Sequence, residues 1–184
     1  VVPHGKADKI FINTTGIGVL EHSLNISGTG GQPGDHIILS GTMADHGVTI
    51  LCQQQGLKIS GDFTSDSAAL NHLTGEIISS QKEMIHVLRD PTRGGVATTL
   101  NEIAASSNVG IVLSEKDLPV RDDVRGACSL LGMDPLYLAN EGKFLAFVDP
   151  RCSQEVLTIM QQNPLGKDSC IIGAAVADHP GRVV

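Results

Sequence analysis

Apolar positions along this chain alternate between short continuous runs and spacings of three and four. Those switches predict strands interleaved with helices. Lys9–Val19 is rich in β-branched residues in loose alternation, which is a strand pattern. Glu21–Asp35 strings together Gly, Ser, Asn and Pro, reads as a loop or linker, and is the best candidate for a domain boundary. His36–Leu39 is a short apolar run between turn residues, as in a buried strand. Val48, Leu51, Cys52 and Gln55 then fall on helical spacing, and Gly56 suits the helix end. A second helix is predicted over Ser67–Gln81, with Asp66 as its N-cap and Ala69, Leu70, Leu73 and Ile77 on one face. Gly75 is a poor residue for the interior of that helix.

The same reading continues through the second half. Met84–Leu88 is an apolar stretch leading into Arg89-Asp90-Pro91-Thr92-Arg93-Gly94-Gly95. Val96, Leu100, Ile103 and Ala104 then repeat with helical period to about Ser107. Gly110–Ser114 reads as a strand, Arg121–Leu131 as a helix ending at Gly132, and Lys143–Val148 as a buried strand. Asp149-Pro150 is a helix start, because Asp caps and Pro at the first position loses no needed N–H. That helix runs to Gln162 and stops at Asn163-Pro164; Ser169–Val176 is the last strand. The succession predicts an α/β or α+β fold, a layered sheet with helices packed on one face.

Composition narrows the function. With 41% hydrophobic and 18% charged residues over 184 positions, the chain has enough apolar material for one core. No run approaches the roughly 18 apolar residues of a membrane span. Thirteen basic against twenty acidic residues, net −7, argue against a broad nucleic-acid or anionic-membrane surface. At 3% aromatic and without Trp, the chain lacks stacking platforms for single-stranded nucleic acid. Cys52, Cys128, Cys152 and Cys170 lie far apart, which argues against a zinc knuckle or disulfide framework and fits a reduced, cytoplasmic protein. The chain opens on Val1 without a visible signal segment, and it looks cut from something longer.

Three segments carry candidate chemistry. In the first, Asp90 is pushed to extended backbone by Pro91, and Thr92 can cap the helix that follows. Gly94 and Gly95 then fall where helix propensity disfavours glycine. Either a ligand approaches this backbone closely, with bare N–H groups and Arg93 making an anion site, or the pair permits tight packing against the sheet. It is not a Walker A loop. In the second, Asn140-Glu141-Gly142-Lys143 sits at the mouth of a buried strand. There Glu141 is either a half-desolvated general base or a solvated turn acid. In the third, Ser40, Thr42, Asp45 and His46 gather at a helix start. They are too close in sequence for a Ser-His-Asp triad, and a capping arrangement is the simpler account. His4, His22, His36, His72, His86 and His179 show no metal-ligand spacing and read as structural or exposed.

Taken in order, S-G-T-x-x-D-H-G, R-D-x-T-R-G-G-V, E-x-x-L-P-V with R-G-A-C-x-L-L-G, A-N-E-G-K and N-P-L-G-K-D resemble the HypE family of hydrogenase maturation proteins. That family sits within the aminoimidazole ribonucleotide synthetase-like group. The resemblance covers nearly all of the chain. It implies the C-terminal α/β (α+β) domain of that fold, a mixed sheet with helices packed on it. Residues 1–22 would be the last strand of an N-terminal ATP-binding domain plus a linker, and 23–184 the C-terminal domain without its tail. It further implies an ATP-dependent carbamoyl dehydratase that converts a C-terminal cysteine S-carboxamide to thiocyanate, supplying the cyanide ligand of [NiFe]-hydrogenase. Glu141 would then be the catalytic base, with Asn140 and Lys143 as orienters. Thr92, Arg93, Gly94 and Gly95 would face the nucleotide phosphates; Asp45 and His46 match the motif without an implied role. ATP and Mg2+ would bind the full-length protein and neither this piece alone, which would be inactive. A carbamoyltransferase and an iron scaffold would be partners, and the full-length protein a homodimer. Two alternatives stay open: a sibling ATP-dependent synthetase or kinase of the selenophosphate or thiamine phosphate type, and a non-catalytic docking module.

Overall fold

The computed structural model describes residues 15–19, 24–57, 61–81 and 83–184. Five strands form one sheet: β1 (His36–Leu39), β2 (Ile85–Arg89), β3 (Gly110–Leu113), β4 (Leu145–Val148) and β5 (Cys170–Val176), in spatial order β2-β4-β1-β5-β3. Every pairing between these strands is antiparallel, where a mixed sheet was expected. The one parallel contact is an isolated bridge from Ile111 to Val183. The antiparallel order follows from the chain path, since each neighbour arrives after a connection that reverses its direction.

Five α-helices are described: α1 (Asp45–Gln55), α2 (Asn71–Gln81), α3 (Gly95–Ser107), α4 (Asp122–Leu131) and α5 (Ser153–Gln162). They cover both faces of the sheet, not the single face expected. On one side Ile37, Leu39, Val87, Leu145 and Phe147 pack against Val96, Leu100, Ile103 and Ala104 of α3. On the other, Ile38, Ala146 and Val148 pack against Leu73 and Ile77 of α2 and Val156 and Met160 of α5. β1 and β4 are buried on both faces, and that is why they read as continuous apolar runs rather than alternating ones. A smaller cluster joins α1 to α4 through Val48, Val124, Ala127 and Cys128.

Helix ends depart from the expected caps. Asp66 does not cap α2, which begins at Asn71 instead of Ser67; residues 61–70 are drawn out as an extended bridge to other loops. Asp149 does not cap α5. Its carboxylate accepts from the Arg151 N–H and guanidinium, and the helix starts at Ser153. Arg151 accordingly holds the Asp149 carboxyl well below the usual carboxylate range. The N-cap of α3 is Gly94, not Thr92. The strand expected over Lys9–Val19 lies outside the described residues save for 15–19, which are exposed and have no regular structure.

Phe147 is fully buried between β1 and β2 against α3. Phe147→Ala is expected to lower stability by roughly 3–5 kcal/mol, read from the denaturant midpoint, because so large a cavity cannot collapse between sheet and helix.

Candidate functional site

Antiparallel pairing brings separate turns to one end of the sheet. Leu145, which opens β4, pairs with Leu39 at the end of β1 and with Arg89 at the end of β2. The turn after β1 (Ser40–Ala44), the turn after β2 (Asp90–Gly94) and the turn before β4 (Leu138–Lys143) therefore meet. Ser40 N–H donates to the Phe144 carbonyl at 3.0 Å, and Ser40 Oγ accepts from Phe144 N–H at 2.9 Å.

Asn140 closes this junction. Its side chain is fully buried, and its Oδ1 accepts from Ala44 N–H at 2.8 Å. Its Nδ2 donates to the carbonyls of Pro91 and Leu138, each at 3.1 Å, and its own N–H donates to Pro91 at 3.2 Å. One amide thus satisfies backbone groups of all three turns. Ala44 sits in the left-handed region, φ 72°, as N-cap of α1, a conformation that L-residues avoid. Its captured N–H helps hold it there.

The glycine pair has a local explanation. Gly94 and Gly95 both have positive φ, 73° and 62°. A Cβ at Gly95 would run into the carbonyls of Leu136 and Leu138, so α3 can approach that segment only with glycine there. Gly95 N–H donates to Thr92 O at 3.0 Å and is therefore engaged within the turn rather than open to a ligand. Close packing accounts for Gly95; the groups facing outward are Thr92 and Arg93.

Those two line a cleft of about 490 Å³ together with Arg89, Asp90, Glu102 and Glu141. Residues remote in sequence, from the β2–α3 turn and the turn before β4, thus share one opening. Arg89 is neutralised by Asp90 at 3.1 Å and Glu102 at 3.3 Å. Among the described residues Arg93 has no carboxylate within 4 Å, so it is the cation left for an incoming anion. Glu141 is exposed rather than half-desolvated.

The supporting residues are tied to one another. Asp45, 5% exposed, accepts from Thr42 Oγ1 at 2.6 Å and faces Arg121 at 3.4 Å. It fixes the β1–α1 turn to the start of α4. His46 Nδ1 lies 2.8 Å from Ser65 Oγ and anchors the 61–70 bridge to α1. Lys143 Nζ lies 3.7 Å from Asp66 Oδ2. Asp66 was visible in the sequence only as a helix cap, and nothing there linked it to residues 75 positions away; yet its Oδ1 accepts from Glu141 N–H at 3.0 Å.

Away from the cleft, His36 meets Ser153 at 2.8 Å and His86 pairs with buried Asp35 at 2.9 Å, while His72 and His179 are exposed. His4 and His22 lie outside the described residues. The four cysteines are free. Burial pushes the thiols of Cys128 and Cys152 up, and that of Cys170, with Asp117 adding to it, up to about 11. Among the described residues no group of three or more His, Cys, Asp or Glu side chains could hold a metal ion. Among the described residues no helix is long and apolar enough to cross a membrane.

This antiparallel α+β domain has the AIR synthase-like fold. The chain belongs to the family described as AIR synthase related protein, C-terminal domain, which matches residues 32–184. It is similar to carbamoyl dehydratase HypE of Azotobacter vinelandii, 49% identical over 179 residues, 97% of this chain and 52% of that protein. The chain therefore spans about half the length of the curated relatives it matches. Among solved structures it resembles the hydrogenase maturation protein HypE in complex with ATP: TM-score 0.82, 45% identity, 86% of this chain and 49% of that one. It likewise resembles a chain of a HypE–HypF complex: TM-score 0.83, 40% identity, 86% of this chain and 51% of that one.

Asn140→Ala is expected to lower stability by roughly 2–4 kcal/mol, since it leaves Ala44 N–H and the Leu138 carbonyl without their partner and removes one of the two bonds to the Pro91 carbonyl. Asn140→Asp should be worst near neutral pH, where the side chain cannot donate, and should partly recover on acidification, when the protonated acid can; thermal melts across pH read this. The stability held by keeping the Cys170 thiol neutral is complete below pH 9 and is lost as pH rises from 9 toward about 11; Cys170→Ala should flatten that part of the stability profile.

Proposed function

We propose that this domain forms part of an ATP-dependent carbamoyl dehydratase, which turns a cysteine S-carboxamide into a thiocyanate during hydrogenase maturation. The observation that carries the reading is the shared cleft. Glu141 faces the same opening as Thr92 and the unpaired Arg93, in a chain close in sequence to proteins named for that activity. An amide oxygen is a poor leaving group until it is phosphorylated. When the oxygen takes the γ-phosphoryl group of ATP and the nitrogen gives up its first proton, an O-phosphorylated imidate, S–C(OPO3)=NH, is formed and ADP leaves. Removal of the second N–H proton as phosphate departs breaks the C–O bond and leaves S–C≡N. That step needs an anion site beside a base, and the cleft offers both.

In this reading Thr92 and Arg93 receive the nucleotide phosphates, with Gly94 turning the backbone between them and α3. Glu141 takes the proton. Asn140 holds the base's turn against the phosphate turn, and Lys143, two residues on, steadies that turn only through the Asp66 carboxylate it faces. Glu141 gains its basicity only when substrate and nucleotide displace water from the open cleft. The ligands for Mg2+ would come from outside the described residues. A carbamoyltransferase supplies the carboxamide, an iron scaffold takes the cyano group, and the assembly is a cytoplasmic homodimer. The solved complex of HypE with HypF supports a partner of this kind.

In the polypeptide that carries both halves of the enzyme, Glu141→Gln is expected to accept the carbamoyl group normally and to stop before thiocyanate, read by intact mass. Normal dehydration by that variant would remove Glu141 as the base. Arg93→Ala should weaken ATP binding about tenfold or more, as expected for a charged phosphate contact.

A further inference from the structure

The most unusual polar group near the cleft is Asp66. Its side chain is 4% exposed, yet it lies on residues 61–70, which form neither helix nor strand ahead of α2. That bridge is pinned along its length. Asp62 O accepts from Arg121 at 3.0 Å, Phe63 packs on the α1–α4 cluster, Ser65 meets His46, and Leu70 packs beneath α2. Asp66 is delivered by these anchors to the turn before β4. There Gly142 presents no Cβ to collide with the Asp66 carbonyl, so the two backbones touch.

The carboxylate is used unequally. Oδ1 accepts from Glu141 N–H at 3.0 Å. Oδ2 is buried with no hydrogen-bond partner, and the nearest cation is the Lys143 ammonium at 3.7 Å. Lys143 reaches that position because Gly41 leaves room for its stem, Cε lying 3.0 Å from where a Cβ would be. A carboxylate buried this far costs stability unless its charge is matched. The arrangement keeps the charge on Lys143 directed at Asp66, two residues along from Glu141. The remaining charges around Glu141 belong to Arg89, Asp90, Arg93 and Glu102 across the cleft.

We propose that Asp66 is a positioning residue for Glu141: it fixes the turn through the Glu141 N–H and draws the Lys143 ammonium away from the Glu141 carboxylate. The base is thereby left free of an ion pair that would make it a weaker proton acceptor. This rests on the reading of Glu141 as the base. It assigns the 61–70 bridge a purpose that its lack of regular structure conceals.

Two measurements separate this inference from the reading beneath it. In the 184-residue chain, amide hydrogen exchange at Glu141 is followed by NMR. Asp66→Ala should speed it about tenfold or more relative to the unchanged chain, since the acceptor is gone, while Asp66→Asn should not. In the two-halved enzyme, Asp66→Asn should lower kcat for thiocyanate formation about tenfold at unchanged KM for ATP. Asp66→Asn with Lys143→Met should recover most of that loss, with kcat taken per folded molecule. A purely structural aspartate would not be rescued by removing the lysine. Unchanged exchange in Asp66→Ala overturns the inference, as does a double variant no faster than Asp66→Asn. If Asp66→Ala does not fold, the Asn and Lys143→Met variants still decide it. Full dehydration by Glu141→Gln overturns the base assignment and this inference together. Loss of dehydration in Glu141→Gln with normal kcat in Asp66→Asn overturns only the inference.

Discussion

One buried amide sets the geometry of the whole cleft. Asn140 is sealed from water, and in that setting every polar atom it carries must find a partner. It finds them in Ala44, Pro91 and Leu138, each on a different turn. Asp offers only acceptors when ionised, and Gln carries the amide one methylene further out. The residue type is therefore dictated by three backbones at once, and so is the strained left-handed Ala44 that it captures. The position of Glu141 relative to Thr92 and Arg93 follows from this, because the turn before β4 and the turn after β2 are linked through that one side chain.

Around that staple the charges are sorted by pairing. Arg89 is spent on Asp90 and Glu102, Arg121 on Asp45 and Asp123, and Lys143 on Asp66. Arg93 and Glu141 are left at the opening, one of each sign. An exposed pair of that kind does little for stability in water. Its worth appears when a ligand enters and the local dielectric falls. The scaffold beneath is apolar and covered on both faces, so loops rather than strands line the cleft.

Much of the fold was legible in the sequence, for a local reason. All five strands and helices α1, α3 and α4 fall within a few residues of their expected ranges, since burial periodicity and left-handed glycines such as Gly56 and Gly132 act over neighbouring residues. The caps were legible less well. Asp66 and Asp149 have the right chemistry for helix starts, but each carboxylate has stronger claims elsewhere, on Glu141 N–H and on Arg151. A capping bond is worth about 1 kcal/mol and yields to such competition. Residues 67–70 depart from the predicted helix for the same reason: their local propensity is outweighed by anchors distant in the chain.

The ordered motifs by themselves determined the family and the candidate residues, because those depend on which chemical groups occur and in what order. The sequence could not decide which of them meet. That Thr92 and Arg93 share an opening with Glu141 follows from β4 lying antiparallel to β2, a pairing between segments more than fifty residues apart. That the doubled glycine serves close packing at Gly95, that Glu141 stands in solvent, and that Asp66 reaches across to it are likewise outcomes of packing. Local sequence sets what each residue can do; the shared burial of distant segments sets what it has to do it with.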